Sequence, residues 1–134
     1  MEIKDRVLIV EDDKNIRKFI QTILEANDYD VIATETGKEA YSLITSRCPD
    51  VVILDLGLPD MDGMKILKEV RAWSNMPIIV VSARDHEKDK VEALDMGADD
   101  YITKPFELEE LYARISVQLR KTSQQAPSKC EKYK

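Results

Sequence analysis

Three short runs of apolar residues constrain the fold of this chain more than any other feature. They lie at residues 7–10, 51–54 and 78–81. None of them alternates apolar with polar residues, as a half-exposed strand would. Uninterrupted apolar runs of this length are typical of strands covered on both faces, which occur in parallel sheets between helices. The runs therefore predict a parallel β-sheet with a helical layer on each side.

The stretches between these runs carry apolar residues at the three- and four-residue spacing of amphipathic helices. The first such helix is marked by Ile16, Phe19, Ile20, Ile23 and Leu24, and similar spacing recurs later in the chain. Two further strands are predicted, at 29–34 and within the segment GADDYITKP. Because parallel strands need right-handed helical crossovers, we expect an α/β, flavodoxin-like doubly wound fold. It would have five helices and five parallel strands in the order 2-1-3-4-5.

The fourth helix has the weakest signal of the five. The fourth, at about 85–96, has three apolar anchors, and we expect it to be the most mobile helix. These anchors are Val91, Leu94 and Met96. The closing helix begins at about Leu108 and is expected to fade near Lys121.

Length and charge restrict the function classes. The chain has 134 residues, 43% of them apolar, which suits one domain with one core. We found neither a signal peptide nor a run of about 18 apolar residues, so a cytoplasmic protein without membrane insertion is expected. The net charge of −6 argues against direct nucleic acid binding by this chain. Cys48 and Cys130 have no metal-binding or redox spacing and are expected to be reduced thiols.

Acidic, hydroxyl and amine side chains stand at the carboxyl ends of the predicted strands. They are Glu11, Asp12 and Asp13 after the first strand, Asp55 in the third, Ser82 in the fourth and Lys104 after the fifth. In doubly wound folds ligands bind beyond this edge, where the strand order reverses between strands one and three. We therefore expect these side chains to converge on one site.

This set of side chains suits phosphoryl transfer. Clustered carboxylates repel, by roughly 4 kcal/mol for two charges about 4 Å apart at an effective dielectric constant near 20. Mg2+ offsets such repulsion and leaves room for phosphate oxygens. Lys104 and Ser82 suit the phosphoryl group as a positive charge and a hydrogen-bond donor. Asp55 is the candidate acceptor, since carboxylates form aspartyl phosphates.

Structural roles are also available to these residues. We favour Asp13 as the N-cap of the first helix over a metal ligand. Asp60 and Asp62 are favoured as turn residues over metal ligands. A lysine or a serine alone would ordinarily be a surface residue. The functional interpretation therefore depends on the co-occurrence of these residues at one sheet edge.

In combination, the segments VLIVEDD, VVILDLGLPDMDG, VVSA and GADDYITKPF resemble the CheY-like receiver domain of two-component response regulators over about residues 5–121. The resemblance implies that Asp55 accepts a phosphoryl group from the phosphohistidine of a sensor histidine kinase. It also implies that Asp12, Asp55 and the carbonyl of Gly57 bind Mg2+, while Glu11 helps through water. The chain would thus be a signalling phosphoacceptor and not an enzyme.

The same resemblance implies a switch beside the phosphate. Lys104 and Ser82 would contact the phosphate, and a cis peptide is expected before Pro105. Ser82 and Tyr101 would form the switch pair, the hydroxyl closing on the phosphate while the aromatic ring turns inward.

The ending GADDYITKPFELEELYARI is similar to the OmpR/PhoB subfamily, whose receivers form homodimers through helix four, strand five and helix five. By position, the resemblance implies three intersubunit ion pairs: Lys90 with Glu110, Asp100 with Arg114, and Asp99 with Arg120. More narrowly, the segments LDLGLPD and RAWSNMPIIVVSARDHEKDKVEALDMGADDY resemble regulators of potassium-uptake genes.

Members of this subfamily continue into a winged-helix DNA-binding domain. The resemblance assigns residues 1–121 to the receiver domain. Residues 122–134 would be a polar tail or the start of a linker to a DNA-binding domain that is absent from these 134 residues. An excised receiver, a truncated regulator and a stand-alone receiver all remain open at this point.

Three other functions were weighed. A Mg2+-dependent phosphohydrolase would use Asp55 as its nucleophile, but it needs a general acid, usually two residues on, where this chain has Gly57. A flavin-binding module needs a hydroxyl-rich phosphate loop after the first strand. This chain has EDDKN there, which would repel phosphate without a metal. A receiver that works without phosphorylation is the third alternative.

Overall fold

The computed structural model describes residues 4–125, in which strands and helices alternate along the chain. The strands are β1 (Arg6–Val10), β2 (Asp30–Thr34), β3 (Val51–Asp55), β4 (Ile78–Ser82) and β5 (Asp100–Thr103). The helices are α1 (Lys14–Ala26), α2 (Gly37–Arg47), α3 (Gly63–Arg71), α4 (Glu87–Asp95) and α5 (Leu108–Gln125). All strand pairs are parallel, in the order β2-β1-β3-β4-β5. The predicted doubly wound fold is confirmed.

Two hydrophobic clusters hold the helices against the two faces of the sheet. Alternate residues of β1 point to opposite faces, so Val7 and Ile9 join the apolar sides of α1 and α5. Leu8 and Val10 join α2, α3 and α4 on the other face. Residues 7–10 are therefore fully buried, as their unbroken apolar run predicts.

Aspartate side chains cap the N-terminal ends of α1 and α3. Asp13 is the N-cap of α1 and accepts hydrogen bonds from the N–H groups of Asn15 and Ile16. Asp62 caps α3 in the same way through the N–H of Met64. These contacts satisfy N–H groups that the first turn of a helix leaves without partners.

Some apolar residues at helical spacing lie outside the core. Phe19 is 63% exposed, although the periodicity of α1 includes it. The prediction that Val91 and Leu94 anchor α4 is wrong, since they are 46% and 40% exposed and Ala93 is the buried residue of that helix. A helical period identifies an apolar stripe, whereas the width of the stripe that is buried depends on the neighbouring elements.

Two further details differ from expectation: the end of helix α5 and the state of Cys48. Helix α5 continues to Gln125, past the predicted fading near Lys121. No helix in residues 4–125 is long and apolar enough to cross a membrane. The prediction of reduced thiols is wrong for Cys48, which is not a free thiol in the structure. Cys130 and residues 126–134 lie outside the described part of the chain.

Candidate functional site

Three carboxylates meet at the carboxyl edge of the sheet. Glu11 and Asp12 directly follow β1, and Asp55 is the last residue of the neighbouring strand β3. Because β1 and β3 are parallel and in register, both ends reach the same edge. Carboxylate oxygens of Glu11, Asp12 and Asp55 lie within 4.8 Å of one another. The convergence of these acids is thus observed, while their functional roles stay predictions.

Lys104 lies among these acids and is their counter-charge. Its Nζ is 2.7 Å from Glu11 Oε1 and 3.3 Å from Asp55 Oδ2. Glu11 and Asp55 are 2% and 5% exposed, so the amine compensates charges that have lost most of their water. Lys104 directly follows β5, two strands away from β3, and its length allows it to reach across the end of β4.

Burial is the largest single influence on the pKa values of Glu11 and Lys104. It raises the pKa of Glu11 to about 7; hydrogen bonds from Lys104 and the Asp13 N–H oppose the rise, and the nearby Asp55 carboxylate adds to it. For Lys104, burial lowers the pKa, but the neighbouring Glu11 and Asp55 carboxylates outweigh burial and leave it above its ordinary value. Lys104 is therefore charged at neutral pH, whereas Glu11 is near its titration midpoint.

The acid cluster fits a hard divalent cation. It offers carboxylate oxygens, which suit Mg2+ better than soft metals. Asp12 is exposed, which leaves room for water ligands, whereas Glu11 and Asp55 are buried. The N–H of Gly57 donates to Asp55 Oδ1 at 3.1 Å and so orients that carboxylate. Within residues 4–125, no other group of three acidic, histidine or cysteine side chains is close enough to hold a metal ion. Asp60 does not belong to the cluster.

Ser82 and Tyr101, the predicted switch pair, are linked through Arg84. Ser82 Oγ accepts a hydrogen bond from the N–H of Arg84 at 3.0 Å, and the Tyr101 hydroxyl donates to the Arg84 carbonyl at 2.7 Å. Both side chains are buried. Ser82 follows Val81, which is paired in register with Asp55, so Ser82 lies at the same edge of the sheet as the acid cluster. The predicted cis peptide at Lys104–Pro105 is present.

The predicted dimer residues lie on α4, β5 and α5, except for Asp99 in the loop before β5, and several pair within the chain. Arg114 Nη1 is 2.8 and 3.0 Å from the two carboxylate oxygens of Asp100, and Arg114 Nη2 is 3.5 Å from Glu110.

Asp99 is also paired within the chain. It accepts hydrogen bonds from Arg71 Nη2 at 2.7 Å and from the N–H of Ile78 at 2.8 Å. Lys90 and Arg120 are exposed. The intersubunit pairs therefore stay a prediction.

Sequence reasoning missed two groups that hold the site loops. Arg17 donates from Nη1 to the carbonyl of Glu11 at 2.8 Å and so holds the loop that carries the first acids. The sequence indicates this role of Arg17 only by its position, one turn into α1 after the acidic segment. Asp60 bonds the start of α2, a contact between residues far apart in sequence for which no local motif exists.

Comparisons of sequence agree with this geometry. The model of the response regulator receiver domain family matches residues 7–116. The KDP operon transcriptional regulatory protein KdpE of Escherichia coli K12 is 50% identical over 117 residues, which are 87% of this chain and 52% of that protein. KdpE of Mycobacterium tuberculosis is 45% identical over the same length and with the same coverage. The chain thus spans about half the length of these curated relatives.

Solved structures give the same result. The Francisella response regulator 1452 receiver domain is 40% identical with a TM-score of 0.85, over 89% of this chain and 99% of that one. The BeF3-activated N-terminal receiver domain of Klebsiella pneumoniae RstA is 34% identical with a TM-score of 0.83, over 87% and 99% of the two chains. Fold, carboxylate site and sequence similarity therefore show that this chain belongs to the response regulator receiver domain family.

Proposed function

We propose that Asp55 accepts a phosphoryl group from the phosphohistidine of a sensor histidine kinase. The observation that carries this proposal is the position of its buried carboxylate. It lies 3.3 Å from the Lys104 amine and within 4.8 Å of oxygens of Glu11 and Asp12. A carboxylate held in this way has a positive group beside it and acidic ligands for a cation that would bind phosphate oxygens.

Asp12, Asp55 and the carbonyl of Gly57 would hold Mg2+, with Glu11 acting through water. The donor set supports this assignment because all of its ligands are oxygens and Asp12 is open to water. When bound, Mg2+ neutralises charge on the carboxylates and on the phosphate oxygens. Lys104 then needs to balance less negative charge on the protein, so its amine becomes available to the incoming phosphoryl group.

The transfer itself uses the carboxylate of Asp55 as a nucleophile. One carboxylate oxygen forms a bond to phosphorus while the bond from phosphorus to the kinase histidine nitrogen breaks, and that nitrogen keeps the electron pair. Lys104 and the Ser82 hydroxyl contact the phosphoryl oxygens and stabilise their charge. Attack by water on phosphorus later breaks the bond from phosphorus to the Asp55 oxygen, which releases inorganic phosphate and restores the carboxylate. The chain thus performs its own phosphotransfer and dephosphorylation and turns over no separate substrate.

Phosphorylation would be transmitted through the switch pair. Donation by Ser82 to the phosphate draws its hydroxyl toward Asp55 and changes its bond with the N–H of Arg84. Because Tyr101 bonds the carbonyl of the same residue, the two side chains shift together. We infer that this shift changes the α4-β5-α5 surface so that two copies of the chain form a homodimer.

The regulatory role follows from the relatives. Residues 1–121 would be the receiver domain and 122–134 a tail or linker to a winged-helix DNA-binding domain outside these residues. The homodimer would bring two such domains together on DNA, in the cytoplasm, and control transcription of potassium-uptake genes. The identity of 50% to KdpE, a KDP operon transcriptional regulatory protein, supports this role.

Intact-mass measurement with Mg2+ and acetyl phosphate tests the proposed acceptor. We expect a labile gain of one phosphoryl group, lost with EDTA and in Asp55→Asn. Asp28→Asn is the matched control, because Asp28 is exposed, precedes β2 at the opposite edge of the sheet, and has a positive φ that asparagine tolerates. An adduct that persists in Asp55→Asn would contradict the proposal. Turnover of small phosphate esters without a trapped adduct would favour the phosphohydrolase instead.

A further inference from the structure

We propose that Asp60 is a positioning residue for the metal site. Its carboxylate bonds the first turn of α2 and so connects that helix to the tip of the loop between β3 and α3, residues 56–62. This inference rests on the proposed function, because Gly57 of that loop is the proposed source of a carbonyl ligand. Asp60 would act through the loop and not by binding the metal itself.

The first turn of α2 depends on Asp60 for half of its hydrogen bonds. The N–H groups of Gly37 and Lys38 donate to Asp60 Oδ1 and Oδ2 at 2.8 and 3.0 Å. The next two N–H groups of the helix donate to the side chain and the carbonyl of Thr36 at 3.3 and 3.1 Å. The bond from Ala40 to the Thr36 carbonyl is the first bond of the helix itself. The N–H groups of Gly37, Lys38 and Glu39, which have no acceptor within the helix, therefore all have partners. Two of these partners come from a residue more than 20 positions away.

Packing beside Asp60 fits the same arrangement. A Cβ atom at Gly37 would lie 2.6 Å from Cγ and 2.7 Å from Sδ of Met61, the residue after Asp60. Glycine at this position thus lets the loop tip lie directly against the helix. The two N–H groups also hold the pKa of the Asp60 carboxyl below its ordinary value, so it is ionised when it makes these contacts.

The base of the loop is closed next to the acid cluster. The N–H of Gly63 donates to the carbonyl of Leu56 at 2.9 Å, and Gly57 pairs with Asp62 in an antiparallel bridge. With its base closed and its tip bonded to α2, the loop has a defined path, and so does the backbone of Gly57. Loss of a contact that orients a metal ligand typically lowers metal affinity by about 10- to 100-fold.

The test compares Mg2+ binding by Asp60→Ala, Asp60→Asn and Thr36→Ala. Isothermal titration calorimetry gives the Mg2+ affinity, and NMR hydrogen exchange follows the amides of Gly37 and Lys38. We expect Asp60→Ala to bind Mg2+ about 10-fold more weakly than the wild type and to exchange these amides faster. Asp60→Asn keeps one acceptor oxygen and should give intermediate values. Thr36→Ala removes a cap from the same helix but keeps the loop contact, so it should lower the melting temperature without lowering Mg2+ affinity.

Three results would overturn the proposal. Wild-type Mg2+ affinity in Asp60→Ala would show that the contact does not position the site. Equal losses in Asp60→Asn and Asp60→Ala without faster amide exchange would show an effect of charge alone. Equal losses in Thr36→Ala and Asp60→Ala would show a general effect of α2 stability. Failure of the proposed function is distinguishable, because then the wild type itself would bind no Mg2+ and accept no phosphoryl group.

Discussion

The metal-free protein should lose stability between pH 5 and pH 8 because Glu11 has to release a proton in a buried site. Its pKa is about 7 in the folded protein, against an ordinary value of 4.5. A carboxyl group whose pKa is raised by folding stabilises the folded state fully below its unfolded pKa, and this contribution is lost as the pH rises through its folded pKa. The stability that depends on Glu11 therefore declines over this range.

The size of this decline follows from the two pKa values. One pKa unit corresponds to about 1.4 kcal/mol. Integration of proton binding by the folded and unfolded states assigns about 2–3 kcal/mol to the interval from pH 5 to pH 8. Lys104 has a raised pKa, so its stabilising contribution is lost only at pH values above its ordinary 10.5. It is therefore constant in this interval and does not cancel the effect of Glu11.

Urea denaturation in EDTA measures the effect. The free energy of unfolding is determined from pH 5 to pH 8 for the wild type, Glu11→Gln and the control Glu109→Gln, which changes an exposed residue at the start of α5. We expect the wild type and Glu109→Gln to lose about 2–3 kcal/mol more than Glu11→Gln across this range. Parallel curves for the wild type and Glu11→Gln would show that Glu11 is ionised throughout and would refute the reasoning.

Three further predictions concern stability. Lys104→Met should destabilise the metal-free protein by about 3 kcal/mol at pH 8 in urea denaturation, because two buried carboxylates lose their counter-charge. Gly63→Ala should cost about 1–3 kcal/mol, since its Cβ would lie 2.5 Å from the carbonyl oxygen of Asp55. Gly57→Ala, whose Cβ would meet its nearest atom at 4.0 Å, is the matched control and should leave the melting temperature unchanged. Asp12→Asn should raise the melting temperature of the metal-free protein, because it relieves about 1 kcal/mol of repulsion between Asp12 and the neighbouring carboxylates. The same change should weaken Mg2+ binding in calorimetry. A lower melting temperature would instead mark Asp12 as a structural cap.

The fold was predictable because its signals are local. Unbroken apolar runs mark buried parallel strands, and the helical periods between them mark the crossovers, so the number of strands and the hand of their connections follow from general rules. The order 2-1-3-4-5 is one of the common doubly wound orders and was chosen on that basis. The details that failed depend on neighbours. Phe19 and Leu94 have the spacing of core residues, yet no element of the described chain covers them fully, and both remain exposed.

The candidate site was predictable in part for a related reason. Asp55, Ser82 and Lys104 stand at strand ends, and the carboxyl ends of parallel strands share one edge, so their convergence follows from the fold class. The contacts that hold the loops follow no such rule. Asp60 caps a helix from 23 positions away, and Arg71 bonds Asp99 across 28 positions.

The sequence by itself determined the fold class, the sheet edge at which the site lies and the residue types it contains, because periodicity and strand ends are properties of short segments. Tertiary structure decided the distances and the electrostatics. The pKa of Glu11 depends on how deeply its carboxyl is buried and on Lys104, which lies 2.7 Å away in space but 93 residues away in sequence. Burial and charge pairing are properties of the packed molecule, since the charge and solvent around a group come from every segment that folding brings near it.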